Sequence, residues 1–286
     1  MARLRAVALL LVATTVWGAT FLVVKRSLPG NAPMTFLALR FLVAAVVLLP
    51  LLRGRAVKVP RSPSVLLCGV TLFSGYALQT AGLVSTTPAR SAFITAFSIV
   101  LVALLEPAFA ISRWSWRACG GAGVALAGLA VLLRPGVTPP AIGDWLTLGC
   151  ALAFAFHGIF LQVAVRQESP ATVNAAQVLT TTALAFPAAL VAGWHVTLSP
   201  KTVLALLVTG ALATVGAFWA MAEAQRSLTA SETAVVLACE PVVAGVVSVL
   251  AREDSPSATL WVGGALVVLG VLLATLKPAR STTQAL

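Results

Sequence analysis

The chain has 286 residues, of which 59% are hydrophobic and 9% charged, with a mean hydropathy of +1.00. A soluble domain carries ~25% charged residues, so this composition excludes an ordinary water-soluble fold. The formal net charge is +11, but the basic residues stand singly at the ends of apolar runs, which is a topology signal and not a nucleic-acid-binding patch.

The apolar runs recur along the whole chain between short breaks rich in Pro, Gly and Arg. They lack the alternation of a β-barrel, so the class is an all-α polytopic membrane protein. Four cysteines (Cys68, Cys119, Cys150, Cys239) lie inside apolar runs at unrelated spacings. With His157 and His195 as the two histidines, they give no metal site and no disulfide framework. No glycine loop for phosphates and no nucleophile–base pair is present, so no catalytic residue, cofactor or metal is expected, and an ATP-driven pump is disfavoured.

Span one is expected over residues 4–24. Arg3 and Arg5 before an apolar stretch resemble a secretory leader, yet the run continues to Lys25-Arg26 and recurs in the second half. Span two follows Pro29-Gly30-Asn31 over 33–52 and carries Arg40. A basic loop over 53–62 leads to span three, 63–84, with Tyr76 and Gln79. Span four, 88–111, starts at Pro88 and carries Glu106-Pro107 near its far end. The turn Arg113-Trp114-Ser115-Trp116-Arg117 sets aromatics beside cations at headgroup depth. Span five, 118–133, is glycine-rich, as close helix packing requires. Residues 135–143 form a Pro/Gly-rich connector between halves 4–134 and 144–276. Spans six to eight are expected over 144–165, 170–193 and 202–222, span nine over 228–250, and span ten over 259–276, before a tail at 277–286.

Span nine contains Glu240-Pro241 about halfway along. At ~1.5 Å rise per residue, Glu240 lies roughly 15–18 Å from the end of the helix, near the middle of a ~30 Å apolar core. A carboxylate there costs at least ~2.5 kcal/mol against lipid, so it must face protein or a water-filled path. Pro241 removes one ladder donor and favours a kink. With the N-terminus in the cytoplasm, the basic residues near span ends divide about two to one in favour of the cytoplasmic side. Both termini are therefore expected in the cytoplasm.

The two halves resemble each other. Ser85–Ala89 lines up with Ser227–Ser231, Trp17-Gly18 with His157-Gly158, and Gly120-Gly121 through Gly128 with Gly263-Gly264 through Gly270. Five spans per half is an odd number, so the second copy enters the membrane inverted. Inverted repeats belong to transporters, which hold solute at mid-depth between the halves.

Trp17-Gly18, Lys25, Arg40 and the segment Ser227–Leu273 resemble the EamA family of the drug/metabolite transporter superfamily over nearly the whole chain. That family's second-half signature, a mid-helix proline, an acidic residue and a Gly-bearing last helix, reads here as Pro241, Glu253, and Gly263 with Gly270. The first half departs from it: Ile99 stands where Pro241 would fall, which leaves the kinking of span four open. The resemblance implies a transporter of small organic solutes and says almost nothing about which one.

The candidate cavity residues are Glu240, Arg40, Trp17, His157, Tyr76, Gln79, Phe218 and Trp219. Arg40 and Glu240 lie roughly 10 Å and 12–15 Å below the outer surface, within reach of each other or of one solute. They form either a buried structural pair or a site in which Arg40 holds a solute carboxylate beside Glu240. Trp17 and His157 occupy matching repeat positions, and His157 is a residue type that titrates near neutrality. Tyr76 and Gln79, matched by Phe218 and Trp219, offer aromatic faces and an amide to an amphipathic solute. Glu240 is the candidate for proton coupling. Glu106, Glu223 and Glu232 lie close to the cytoplasmic ends, where solvated anchoring or helix-end electrostatics is expected.

These observations point to a secondary transporter in the cytoplasmic membrane, with a small-molecule solute and the lipid bilayer as partners, no nucleic acid, and efflux as the expected direction. The sequence carries no signal for the substrate, the coupling ion or the oligomeric state. An intramembrane enzyme acting on lipid-linked substrates would instead cluster polar groups at one interface. A non-transporting scaffold would need no inward-facing charges.

Overall fold

A Ser-Pro or Ser/Thr-x-x pattern starts one span after another. Ser169 and Ser199 precede Pro170 and Pro200, whose missing N–H costs nothing in the first turn, and accept from Thr172 N (3.1 Å) and Thr202 N (3.2 Å). Ser115 and Ser257 cap in the same way. Thr229 and Glu232 exchange side-chain-to-backbone bonds in a full capping box.

The computed structural model describes residues 2–27, 30–52, 62–86, 88–110, 112–134, 139–252 and 257–276. The helices are α1 (Ala2–Ser27), α2 (Pro33–Leu52), α3 (Pro63–Gly82), α4 (Pro88–Thr95), α5 (Ser98–Leu105), α6 (Trp116–Leu133), α7 (Ile142–Gln167) and α8 (Pro170–Val191). They continue with α9 (Pro200–Val208), a π-helical stretch (Thr209–Gly216), α10 (Ala217–Ala224), α11 (Ala230–Leu237), α12 (Glu240–Leu250) and α13 (Ala258–Thr275). Among the described residues, ten segments are long and apolar enough to cross a membrane. Glu253, most of the basic loop before span three, residues 135–138 of the connector, the 277–286 tail and the side chain of Lys25 lie outside the described residues.

Span five (α6) packs on span ten (α13) with backbone against backbone. A Cβ at Gly121 would sit 2.6 Å from Gly270 O, and one at Gly128 2.7 Å from Gly263 O. The converse holds as well: Gly270 meets Gly121 O at 2.6 Å and Gly263 meets Gly128 O at 2.7 Å. In the register that pairs Ser85 with Ser227, Gly121 corresponds to Gly263 and Gly128 to Gly270, one residue away from the expected match of Gly120-Gly121 with Gly263-Gly264, and each glycine then touches the partner of the other. That reciprocity is the mark of a two-fold relation between antiparallel copies, and it makes the inverted repeat visible in contacts.

Span nine breaks where Pro241 predicts. Ala238 and Cys239 bond three residues back, to Val235 O and Val236 O (both 3.1 Å), and α12 starts afresh at Glu240. Span four breaks at the equivalent place, Ala96-Phe97, with no proline there; Phe97 N and Ile99 N bond to Ile94 O and Ala96 O (both 3.0 Å). The kink therefore belongs to both repeats. Past α5, Glu106–Phe109 tightens into a 3₁₀ turn that ends with Ala110 at φ 54.

The two broken spans are not buried alike. Along span nine the first half is buried (Ala230, Ser231, Thr233, Val235, Val236), whereas α12 has no buried residue. Along span four it is the second half that is buried, at Ile99, Val102, Ala103 and Glu106. Because these spans run in opposite directions, both buried halves lie toward the face that carries the N-terminus. Loop contacts sort by face in the same way. At the N-terminal face Arg3 pairs with Glu232 (2.5 Å) and Thr275 O (3.1 Å). At the opposite face Thr197 N donates to Asn31 Oδ1 (2.7 Å) and Thr86 Oγ1 to Asp144 Oδ1 (2.7 Å).

Candidate functional site

The site is assembled around the π-helical stretch of span eight. A π turn shifts the hydrogen-bond ladder and frees carbonyls, which inside a membrane must be satisfied by neighbouring helices. Two neighbouring helices do so, and a hydroxyl of the stretch itself serves a third carbonyl. Trp17 Nε1 on α1 donates to Ala213 O (2.6 Å), and Asn174 Nδ2 on α8 donates to Val215 O (2.9 Å). Thr214 Oγ1 returns a bond to Thr209 O (2.9 Å) and accepts from Arg40 Nε on α2 (2.8 Å). The sequence TGALATVG is poor in strong helix formers, which makes the widened turn inexpensive.

Fixed at Nε by Thr214, the Arg40 guanidinium lies over two rings, its Cζ 5.5 Å from the centre of Tyr76 and 5.9 Å from that of Phe41. Tyr76 stands edge-on to Phe41 (5.8 Å) and to Phe154 (5.5 Å). Glu240, at the first turn of α12, shares this neighbourhood, since Arg40 acts electrostatically on both Glu240 and Tyr76, and Glu240 on Tyr76. Arg40, Tyr76 and Glu240 are each half-buried, and among the described residues no ion pair joins Arg40 to Glu240. The two charges therefore influence each other without a direct ion pair. Gly18 lets α1 sit against this turn, because a Cβ there would come within 2.9 Å of Glu240 O and 2.8 Å of Val243 Cβ.

The remaining sequence candidates divide into two groups. Trp17 stands edge-on to Phe218 (5.2 Å), which in turn meets the His157 ring (5.9 Å). His157 is 3% exposed and its Nε2 bonds Gln177 Oε1 (2.9 Å); Gln177 Nε2 passes the chain on to Asn174 Oδ1 (3.1 Å). His157 thus sits in a buried polar chain leading to the π stretch. Gln79 Nε2 reaches Thr95 Oγ1 (3.4 Å), beside the break of span four. Trp219 is 43% exposed and makes no ring contact with the others among the described residues.

Glu106 differs from its expectation as a solvated end group. It is 1% exposed, because the 3₁₀ turn swings it inward onto α11. Thr214, Asn174, Gln177, Phe41 and Phe154 were not singled out in the sequence. Asn174 and Gln177, polar and three apart on an apolar helix, were the readable signal for a buried face.

A family profile described as the EamA-like transporter family matches residues 4–134 and 141–276. The chain belongs to that family. It is therefore a multi-pass membrane protein of a transporter family. Among curated relatives, an "Uncharacterized transporter" of Archaeoglobus fulgidus is 29% identical over 262 residues, covering 92% of this chain and 83% of that protein. A "Probable terminal-alkyne amino-acid exporter" of Streptantibioticus cattleyicolor is 28% identical over 284 residues, covering 94% and 93%. A solved crystal structure superposes with a TM-score of 0.83 at 23% identity, covering 94% of this chain and 96% of that one, so the two share a fold.

Proposed function

We propose that this protein is a secondary transporter exporting small amino-acid-like solutes, with Arg40, Glu240 and Tyr76 as the core of the solute site. The observation that carries this reading is the pair of opposite charges at mid-depth, unpaired with each other and walled by aromatic rings. A zwitterion fits that arrangement: carboxylate to the Arg40 guanidinium, ammonium to Glu240, apolar side chain against Tyr76 and Phe154. The relative named as an amino-acid exporter supports the same class.

Trp17, Phe218 and His157 form the wall behind the site and hold the π stretch in place, and Gln79 lines it near the span-four break. The repeats, residues 4–134 and 144–276, exchange roles during alternating access. The unequal burial of spans four and nine then reads as one state of that exchange, closed at the N-terminal face. The basic residues put that face, and both termini, in the cytoplasm of a cell whose cytoplasmic membrane holds the protein. Glu240 is the proposed proton-coupling group.

The test is thermal stabilisation of the purified protein against amino acids, nucleosides and amines, since a ligand stabilises the state it binds. Apolar amino acids are expected to raise the melting temperature of wild type and not of Glu240→Gln or Arg40→Ala. Stabilisation by amines or nucleosides alone would contradict the zwitterion site.

A further inference from the structure

Among the described residues, the carboxylate of Glu106 is the most deeply buried charged group at the N-terminal face, and the solute site does not use it. It ends span four and faces the start of span nine. Oε1 accepts from Ala230 N (3.3 Å), Oε2 from Ser231 N (3.0 Å), and Ser231 Oγ donates to Oε2 as well. Gln162 Oε1 on α7 shares the Ala230 N–H (2.8 Å). All of Glu106's partners are donors, two of them first-turn amides of α11, which suits an ionised acceptor at a helix N-terminus. A cavity of about 110 Å³ adjoins the contact, lined by Ala103, Arg113, Ser115, Thr229 and Glu232 as well as by Glu106 itself. Glu232 is occupied by Arg3 and by its own capping box.

The register that sets Gly121 on Gly263 and Gly128 on Gly270 sets Ser248 at the position of Glu106, so one copy of the repeat carries a carboxylate where the other carries a hydroxyl.

We propose that Glu106 is a gating residue of the transport cycle: its carboxylate latches spans four and nine together at the cytoplasmic face, and the latch, made while that face is closed, biases the resting protein toward the outward-open state. This inference rests on the alternating-access reading above. Solute leaving the cytoplasm must first draw Glu106 off the α11 terminus. A charge-assisted set of this kind shifts a two-state equilibrium by roughly tenfold to a hundredfold.

The experiment places single reporter cysteines in a background free of Cys68, Cys119, Cys150 and Cys239. Ala103→Cys reports on the cavity beside Glu106, and Ala244→Cys reports on the opposite half of span nine. Both are labelled with a membrane-impermeant maleimide, in inside-out and right-side-out vesicles respectively. Glu106→Gln is expected to raise labelling at 103 about tenfold and to lower labelling at 244. Ser231→Ala, which keeps the charge and loses one donor, shifts both in the same directions by less and covers the case in which Glu106→Gln fails to fold. Rates within about twofold of the parent at both sites, or a rise at 103 with no fall at 244, overturn the latch, the second because local loosening opens one face without closing the other. The assay needs no solute, so its failure bears on the latch, whereas absence of flux would bear on the transport reading.

Discussion

Replacing Gly128 with Ala tests the two-fold contact on which the architecture rests. The added methyl would stand 2.7 Å from Gly263 O, 2.7 Å from Val267 N and 2.9 Å from Leu266 Cβ. Two of these three atoms are backbone and the third is a Cβ, so none can move by a rotamer change. Relief requires α6 and α13 to separate along their length, and overpacking of this sort costs about 1–3 kcal/mol. Gly120 and Gly123 lie on the same helix with nothing within 4 Å of a built Cβ. Alanine there should be neutral or stabilising by up to about 1 kcal/mol through helix propensity. The assay is thermal unfolding in detergent, where 1 kcal/mol corresponds to roughly 2–4 °C for a chain of comparable size. Gly128→Ala should therefore melt several degrees below Gly123→Ala. Equal melting temperatures would refute the close contact and with it the reciprocal pairing of the two repeats.

Asn174→Leu removes the donor to Val215 O and the acceptor for Gln177, so it should destabilise by about 1–3 kcal/mol for each group left unpaired, measured by the same unfolding assay. Thr214→Val keeps the shape but leaves Arg40 Nε and Thr209 O without their bonds, so solute affinity should fall about tenfold, as seen by titration of binding, together with a loss of stability of about 1–3 kcal/mol for each group left unpaired. Proton coupling at Glu240 predicts that flux through Glu240→Gln no longer responds to an imposed pH gradient; a wild-type rate with wild-type pH dependence would remove Glu240 from that role.

Much of the fold was readable because membrane spans announce themselves by length and apolarity, and Ser-Pro and capping-box signals mark where they start. The kink in span nine was readable from Pro241, but that of span four was not. Its break at Ala96-Phe97 is set by tertiary packing inherited through the repeat and has no local residue to signal it. That Arg40 and Glu240 are neighbours followed in part from depth arithmetic, since residues at one depth in a small bundle have few places to be, whereas the stacking of Arg40 over Tyr76 did not. The π stretch was invisible for a different reason: two of its carbonyls are met by Trp17 and Asn174 and its Thr214 hydroxyl by Arg40, from three other spans, a fact of assembly and not of local sequence. Glu106 was misjudged because position near a helix end says nothing about which way the next turn points. The 3₁₀ turn at Glu106–Phe109 aims it inward.

The central claim is that Arg40 and Glu240 hold a transported zwitterion between the repeats, and flux in proteoliposomes addresses it most directly. Purified wild type, Arg40→Ala and Glu240→Gln, each checked for folding by its melting curve, would be compared for counterflow of a labelled apolar amino acid. The account predicts saturable counterflow by wild type, competed by zwitterionic amino acids and lost in both variants. Wild-type counterflow persisting in folded Arg40→Ala and Glu240→Gln would contradict it.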